Sequence, residues 1–407
     1  MNKKIIIIMD STRVDNYNYL ILDSYKNDYI LLDLSSNKLI SNATKFKFKS
    51  EISWKEFITP RRMINKIQPD KIIFFEIIDS LNISLMIVAN YLKIETIYLE
   101  HGASNDYKTA FVRSYNKVSL SIKVKHIFKK LKNINQLVKN KIFFISSIFY
   151  LKSFKSWIKF FSIFFNFLSL KSLMLNLYSN KFEERLPKIA ILFNNVNYKQ
   201  FYLHTGIKKE NSRLTGVPFF DNYHCENLNE ENYIVFIDHP YYESNLFDWG
   251  LDFHFEIAKN LNTFVNLKKI KVIIKLHPRS DKALWEKYNL NSEFIEILQE
   301  GDFTELYLKS KLIIGYSSSL LNGFLCAKKN VVNIGWHPEP QIFGVDFSKT
   351  GLCHKSLDMN DLFEKYDFWI ENNLALKNED KYVEFLKEFN YPFDGNATQR
   401  ILDIINS

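Results

Sequence analysis

The chain has 407 residues, 46% of them hydrophobic and 24% charged, with only 11 Gly and 9 Pro. That composition supplies packed cores for two or three domains and excludes collagen-like, linker-like and wholly disordered chains. Three cysteines without a CxxC spacing exclude a disulfide framework, argue against structural zinc and fit a reducing compartment.

The formal net charge of +9 is not evenly spread. Residues 107–182 contain no Asp or Glu and carry Lys108, Arg113 and thirteen lysines from Lys117 to Lys181. This segment has a local charge of +15, which leaves −6 for the rest of the chain. The protein therefore reads as a mildly acidic body with one basic insertion.

In chain order, Ile5–Ile8 form an apolar run that Asp10, Arg13 and Asp15 cut too short for an export signal. It predicts a buried first strand over 4–9 and a cytoplasmic protein. Strands are also predicted at 29–33, 71–77 and 95–100. A helical pattern (Ile83, Leu85, Met86, Val88, Ala89, Leu92) lies between the last two. This alternation predicts a parallel sheet covered by helices. Residues 186–195 and 212–218 add two more strands.

A second α/β unit follows, with strands at 232–238, 270–276, 293–298, 311–315 and 330–335 and helices at 253–266, 302–309 and 319–328. A terminal helix is predicted over about 396–405, with Asn396 as its N-cap. The predicted fold is α/β: two Rossmann-like domains facing a cleft. The first spans 1–222 and includes the insertion, the second spans 223–393, and 394–407 form a terminal helix that packs back on the first.

Within the insertion, residues 120–138 are amphipathic. Segments 142–151 and 157–175 are aromatic-rich and interrupted by Lys152, Lys155, Lys159 and Lys171. The longest uncharged run there, Phe160 to Leu170, is far shorter than the roughly 20 residues of a spanning helix. Lysines spaced among Phe, Trp and Leu suit a helix lying on an anionic membrane surface. A helical hairpin packed on its own domain or on a second subunit is the plainer reading, and homo-oligomer formation stays open. No nucleic-acid module accompanies the charge, so nucleic acid is not expected as a partner.

Ligands of open α/β sheets bind beyond the carboxyl ends of the strands, so the residues just past each strand are the candidate site. After 270–276 comes Lys275-Leu276-His277-Pro278-Arg279. A histidine fixed by the following proline and flanked by Lys275 and Arg279 suits a phosphate, as hydrogen-bond donor or as acid to a leaving group. After 311–314 comes Gly315-Tyr316-Ser317-Ser318-Ser319. Its hydroxyls and the unpaired N–H groups of the next helix suit an anion. Together these predict a site for a nucleotide mono- or diphosphate donor. In the first domain, Glu100 and His101 follow strand 95–99, where a general base for an attacking hydroxyl belongs. Glu76, Asp10 and Arg13 are the other strand-end polar groups on that side, and such acids also serve as helix caps.

The set LEHG, LTGVPFFD (Leu214 to Asp221), KLHPRSD, GYSSS and FDGNATQRI resembles bacterial glycosyltransferases of the two-domain GT-B type. More narrowly, it resembles the capsule and lipooligosaccharide sialyltransferase and polysialyltransferase group. That group shares an acidic-acidic-Gly motif in the first domain and His-Pro and Ser-Ser motifs in the second. The resemblance implies Glu100 as the base on the acceptor hydroxyl, His277 at the phosphate of a CMP-sugar, and Ser317 and Ser318 holding that phosphate. His101 stands where the group usually has a second acid, which leaves the base open between Glu100 and His101.

Similar landmarks occur in Kdo transferases and in CDP-glycerol glycerophosphotransferases. The run Leu320-Leu321-Asn322-Gly323 lacks the acid that often follows the serines in the latter. No Asp-x-Asp is present to hold a divalent ion, so neither metal nor cofactor is expected beyond the CMP-sugar donor.

The expectation is a metal-independent transferase of a sialic-acid-like sugar. Its acceptor would be an oligosaccharide or glycolipid of a capsule, O-antigen or lipooligosaccharide, and residues 117–181 would hold it peripherally at the inner face of the cell membrane. The alternatives are the same fold with CMP-Kdo, CDP-glycerol or a UDP-sugar, and a non-catalytic membrane-associated scaffold.

Overall fold

A computed structural model describes residues 2–9, 19–21, 23–34, 46–102, 134–165, 173–225, 228–288, 290–342 and 344–407. Asp10, Arg13, and residues 103–133 and 166–172 of the basic segment lie outside the described residues. The chain divides into two units, Met1–Pro218 with Asn396–Ser407, and Phe219–Gly395.

Unit 1 is built on seven parallel strands: β1 (Lys4–Met9), β2 (Asp28–Asp33), β3 (Ser50–Ser53), β4 (Lys71–Phe74), β5 (Glu95–Leu99), β6 (Ile189–Leu192) and β7 (Ser212–Leu214). Their order is β3-β2-β1-β4-β5-β6-β7, the dinucleotide-fold order extended by one strand. Central β1 is apolar at consecutive positions because both its faces are covered, and Ile5 to Ile8 are at most 1% exposed. Helix starts are set locally. Thr59 accepts from the Arg62 N–H ahead of Pro60–Ile67, and Asp79 accepts from the Leu81 and Asn82 N–H groups ahead of Ser80–Tyr91.

The described part of the basic segment is helical and lies between β5 and β6, with helices Ile134–Ile145, Phe154–Phe164 and Leu173–Ser179. Its inner side chains Phe144, Ile148, Phe160 and Ile163 form one apolar cluster with Ile83 and Ile87 of Ser80–Tyr91. The rings of Phe144 and Phe160 stack 4.3 Å apart. Buried Glu184 ties the start of Phe154–Phe164 down, accepting from the Lys152 N–H at 2.8 Å and the Ser156 hydroxyl at 2.9 Å.

The last helix, Ala397–Asn406, belongs to unit 1. Lys71 donates to the Ile405 carbonyl at 2.8 Å while pairing with Glu95 at 3.1 Å. Arg400 donates to the Thr215 carbonyl at 2.8 Å, and Asn406 donates to Asp23 at 2.8 Å. Asn396 occupies the N-cap position, but its side chain makes no capping bond.

Unit 2 holds six parallel strands: β8 (Glu231–Ile237), β9 (Lys271–Lys275), β10 (Ile295–Leu298), β11 (Ser310–Gly315), β12 (Val331–Ile334) and β13 (His354–Ser356). Their order, β10-β9-β8-β11-β12-β13, repeats the pattern of unit 1. Ile234, Phe236, Val272, Ile274, Leu312 and Ile314 pack against Leu261 and Val265 of the helix Leu251–Lys268. Among the described residues, no helix is long and apolar enough to cross a membrane.

Candidate active site

In each sheet the strand order reverses beside the first strand, and the carboxyl ends at such a reversal are where ligands of open α/β sheets bind. In unit 2 the reversal lies between β8 and β11, where Ile237 pairs with Gly315. A cavity of about 220 Å³ sits at this point, lined by Asp238, His239, Lys275, His277, Pro278 and Ser317 to Ser319 among others. A larger cavity of about 560 Å³ contains none of these strand-end residues. Its two lysines are already ion-paired, Lys328 with Glu379 and Lys329 with Glu230.

The His277 segment is a turn. The Ser280 N–H donates to the His277 carbonyl at 2.9 Å across Pro278, and Gln299 donates to the His277 and Ser280 carbonyls. Asp281 then caps Lys282–Glu286. The Arg279 N–H donates to Nδ1 of His277 at 3.1 Å, so the neutral ring keeps its proton on Nε2. Burial and the cations of Arg279 and Lys275 lower the His277 pKa, which favours that neutral donor form.

The flanking cations are placed differently from the sequence expectation. Lys275 lines the cavity, but its ammonium donates to the Leu276 and Gln299 carbonyls at 2.6 and 2.9 Å. Arg279 is exposed and is not among the cavity residues. Its main-chain N–H orients the imidazole.

Across the cavity, Gly315 closes β11. A Cβ there would meet Leu321 at 3.0 Å and Ile237 at 3.2 Å, so the absent side chain lets the helix Ser319–Cys326 sit close to β8. Ser318 is the N-cap and accepts from the Leu320 N–H at 3.3 Å. The Ser317 hydroxyl donates to the Val345 carbonyl at 3.3 Å. Ser319 is exposed at the first turn, where helix N–H groups are unpaired in general. A neutral imidazole donor, two serine hydroxyls and a helix N-terminus can bind a phosphate.

Sequence reasoning missed Asp238 and His239. Burial pushes the Asp238 carboxyl up to about 7 despite the polar groups of Ser280 and the His239 backbone. The His239 ring lies 5.7 Å from that of His277 and stacks on Tyr241 at 4.3 Å. Burial and then His277 lower its pKa to about 4. The signal was present, because His239-Pro240 repeats the His-Pro dipeptide directly after an apolar strand.

In unit 1, Glu100 follows β5 and is buried. Its carboxylate accepts from the His101 N–H at 3.0 Å and the Tyr98 hydroxyl at 3.3 Å. Nδ1 of His101 lies 3.7 Å from the same carboxylate, within ion-pair reach and beyond a good hydrogen bond. Burial raises the Glu100 pKa, and His101 opposes the rise. Half-buried Glu76 belongs to the same neighbourhood, since burial, then Glu100 and, least, the charge of Glu76 raise the Tyr98 phenol. A buried carboxylate with a raised pKa, next to an imidazole, can take a proton from a hydroxyl near neutral pH.

Two parallel sheets of dinucleotide-fold order, with polar side chains gathered at their strand ends, are the elements of the GT-B fold. The chain belongs to the alpha-2,8-polysialyltransferase family, which it matches over residues 2–323, a span that includes Glu100, His277 and Ser317 to Ser319. Among solved structures it is similar to the UDP-GlcNAc 2-epimerase of Neisseria meningitidis, with 9% identity, TM-score 0.54 and 100% coverage of both chains. It is also similar to the UDP-GlcNAc 2-epimerase of Methanocaldococcus jannaschii, with 11% identity, TM-score 0.53, and coverage of 100% of this chain and 99% of that one. The wall teichoic acid polymerase TagF aligns with 12% identity and TM-score 0.51 over 99% of this chain and 88% of its own. At these identities the likeness is one of fold. No curated protein matches the sequence.

Proposed function

We propose that this glycosyltransferase moves a sialic-acid-like sugar from a CMP donor to a hydroxyl of a surface-glycan acceptor, without a metal ion. The observation that carries the reading is the cavity at the β8–β11 reversal, where neutral His277 and the serines of the helix start line one small pocket. Family membership supports the sialyl donor. A CMP leaving group bears a single phosphate, which one imidazole N–H, the serine hydroxyls and a helix N-terminus suffice to stabilise.

In this reading the acceptor hydroxyl gives its proton to Glu100, whose charged form His101 supports. The acceptor oxygen bonds the anomeric carbon as the bond from that carbon to the CMP phosphate oxygen breaks. His277 donates to the departing phosphate through Nε2. Lys275, Pro278, Gly315 and Ser319 shape the pocket, Arg279 orients His277, and Glu76 stands on the acceptor side.

The test is calorimetric titration with CMP, CDP and UDP in the presence of a chelator, followed by release of CMP from the sugar nucleotide. CMP binding that survives chelation is expected, together with turnover that falls about 10²- to 10⁴-fold in His277→Ala with the fold intact. Tight UDP binding without CMP binding would overturn the donor assignment. Unchanged turnover in His277→Ala would overturn the role of the histidine.

A further inference from the structure

The helix Phe154–Phe164 is apolar on two sides. Its inner stripe, Ser156, Phe160 and Ile163, is buried, with Phe160 and Ile163 packed against Phe144 and Ile148. Phe164 packs partly against the same cluster, and the other large apolar residues face outward. Phe154 is 78% exposed and Ile158 58%, and Trp157, Phe161 and Phe165 are exposed as well. Starting from Phe154, they fall at i, i+3, i+4, i+7 and i+11, which is one stripe along a helix. A surface helix of a soluble protein normally turns charged residues to that side.

We propose that this outward stripe is a docking surface for an anionic phospholipid bilayer. The helix has 11 residues and is about 16 Å long, too short to cross a bilayer but able to lie in its interface. Phe, Trp and Ile would enter the acyl boundary while exposed Lys152 and Lys155, at the start of the helix, reach the headgroups.

Charge selects the bilayer over a second copy of the chain. A two-fold interface sets the same patch against itself. That would set the exposed Lys152 and Lys155 of one copy against those of the other, in a segment with no carboxylate between residues 107 and 182 to pair with them. Anionic headgroups supply the missing opposite charge. The inference is independent of which sugar nucleotide the enzyme uses.

The experiment is co-sedimentation of the full chain with phosphatidylcholine vesicles and with mixed phosphatidylglycerol–phosphatidylcholine vesicles, at low and high salt. Binding to the mixed vesicles is expected, much weaker on pure phosphatidylcholine and reduced by salt. The variant Phe154→Ser/Ile158→Ser should bind at least about tenfold more weakly, and Lys152→Glu/Lys155→Glu should lose about as much on the anionic vesicles alone. Both variants are surface changes, and unchanged nucleotide binding and circular dichroism would verify their folds. Wild-type sedimentation that ignores phosphatidylglycerol, or variants that sediment like the wild type, would overturn the proposal. So would a stable wild-type dimer in analytical ultracentrifugation that Phe154→Ser/Ile158→Ser converts to monomer.

Discussion

Asp238 ends β8 with its carboxyl buried, and burial lifts its pKa from the ordinary 3.8 to about 7. Between those two values the folded chain holds a proton that the unfolded chain has lost. Stability therefore falls as pH rises, by about 1.4 kcal/mol for each unit of the gap. A gap of about three units amounts to about 4 kcal/mol, fully present as stability below pH 4 and lost by pH 8.

Three histidines, buried His204 and His254 and half-buried His239, act in the opposite sense. Burial lowers His204 to about 3 and His239 and His254 to about 4, so each costs stability as pH falls through and below the ordinary imidazole range. A single pH profile mixes both effects, and the Asp238→Asn variant separates them. Urea unfolding followed by tryptophan fluorescence suits the measurement, because Trp249, Trp285, Trp336 and Trp369 all lie in the core of unit 2. Relative to wild type, the variant should gain about 4 kcal/mol between pH 4 and pH 8. Parallel profiles for the two proteins would refute the reasoning.

Other substitutions probe the remaining contacts. Glu100→Gln should lower turnover about 10²- to 10⁴-fold. It should also erase the acidic limb of the pH–rate profile, since a base with a raised pKa gains activity as pH rises through it. Ser318→Ala removes the acceptor for the Leu320 N–H and should cost about 1 kcal/mol in the melting of unit 2, along with weaker nucleotide binding by calorimetry. Lys71→Met leaves Glu95 and the Ile405 carbonyl without their buried ammonium. It should destabilise unit 1 by about 2 kcal/mol and expose the terminal helix to limited proteolysis.

The central strands were legible because residues such as Ile5–Ile8 and Val272–Ile274 are apolar at successive positions, as two-sided burial requires. Edge strands β3 and β13 were not legible. Ser50–Ser53 and His354–Ser356 are short and polar and gain their strand form from pairing with β2 and β12. The His277 and Ser317 turns could be found because proline and serine punctuate strand ends. The roles of their neighbours could not. Whether Lys275 reaches a ligand or two carbonyls depends on where β10 ends, and Asp238 looks like any strand-end acid until its burial is known. The insertion showed its charge and its aromatics in the sequence, whereas which aromatics face inward needed the packing on Ile83 and Ile87.

The return of Ala397–Asn406 to unit 1 bears on the order in which the protein can be made. Lys71, Asp23 and the Thr215 carbonyl wait for partners that leave the ribosome only after all of unit 2. Domains generally close in the order of their synthesis. Here Phe219–Gly395 is complete before the unit that precedes it. A nascent chain stalled short of Ile405 would carry a finished second unit and a first sheet still missing its final clasp.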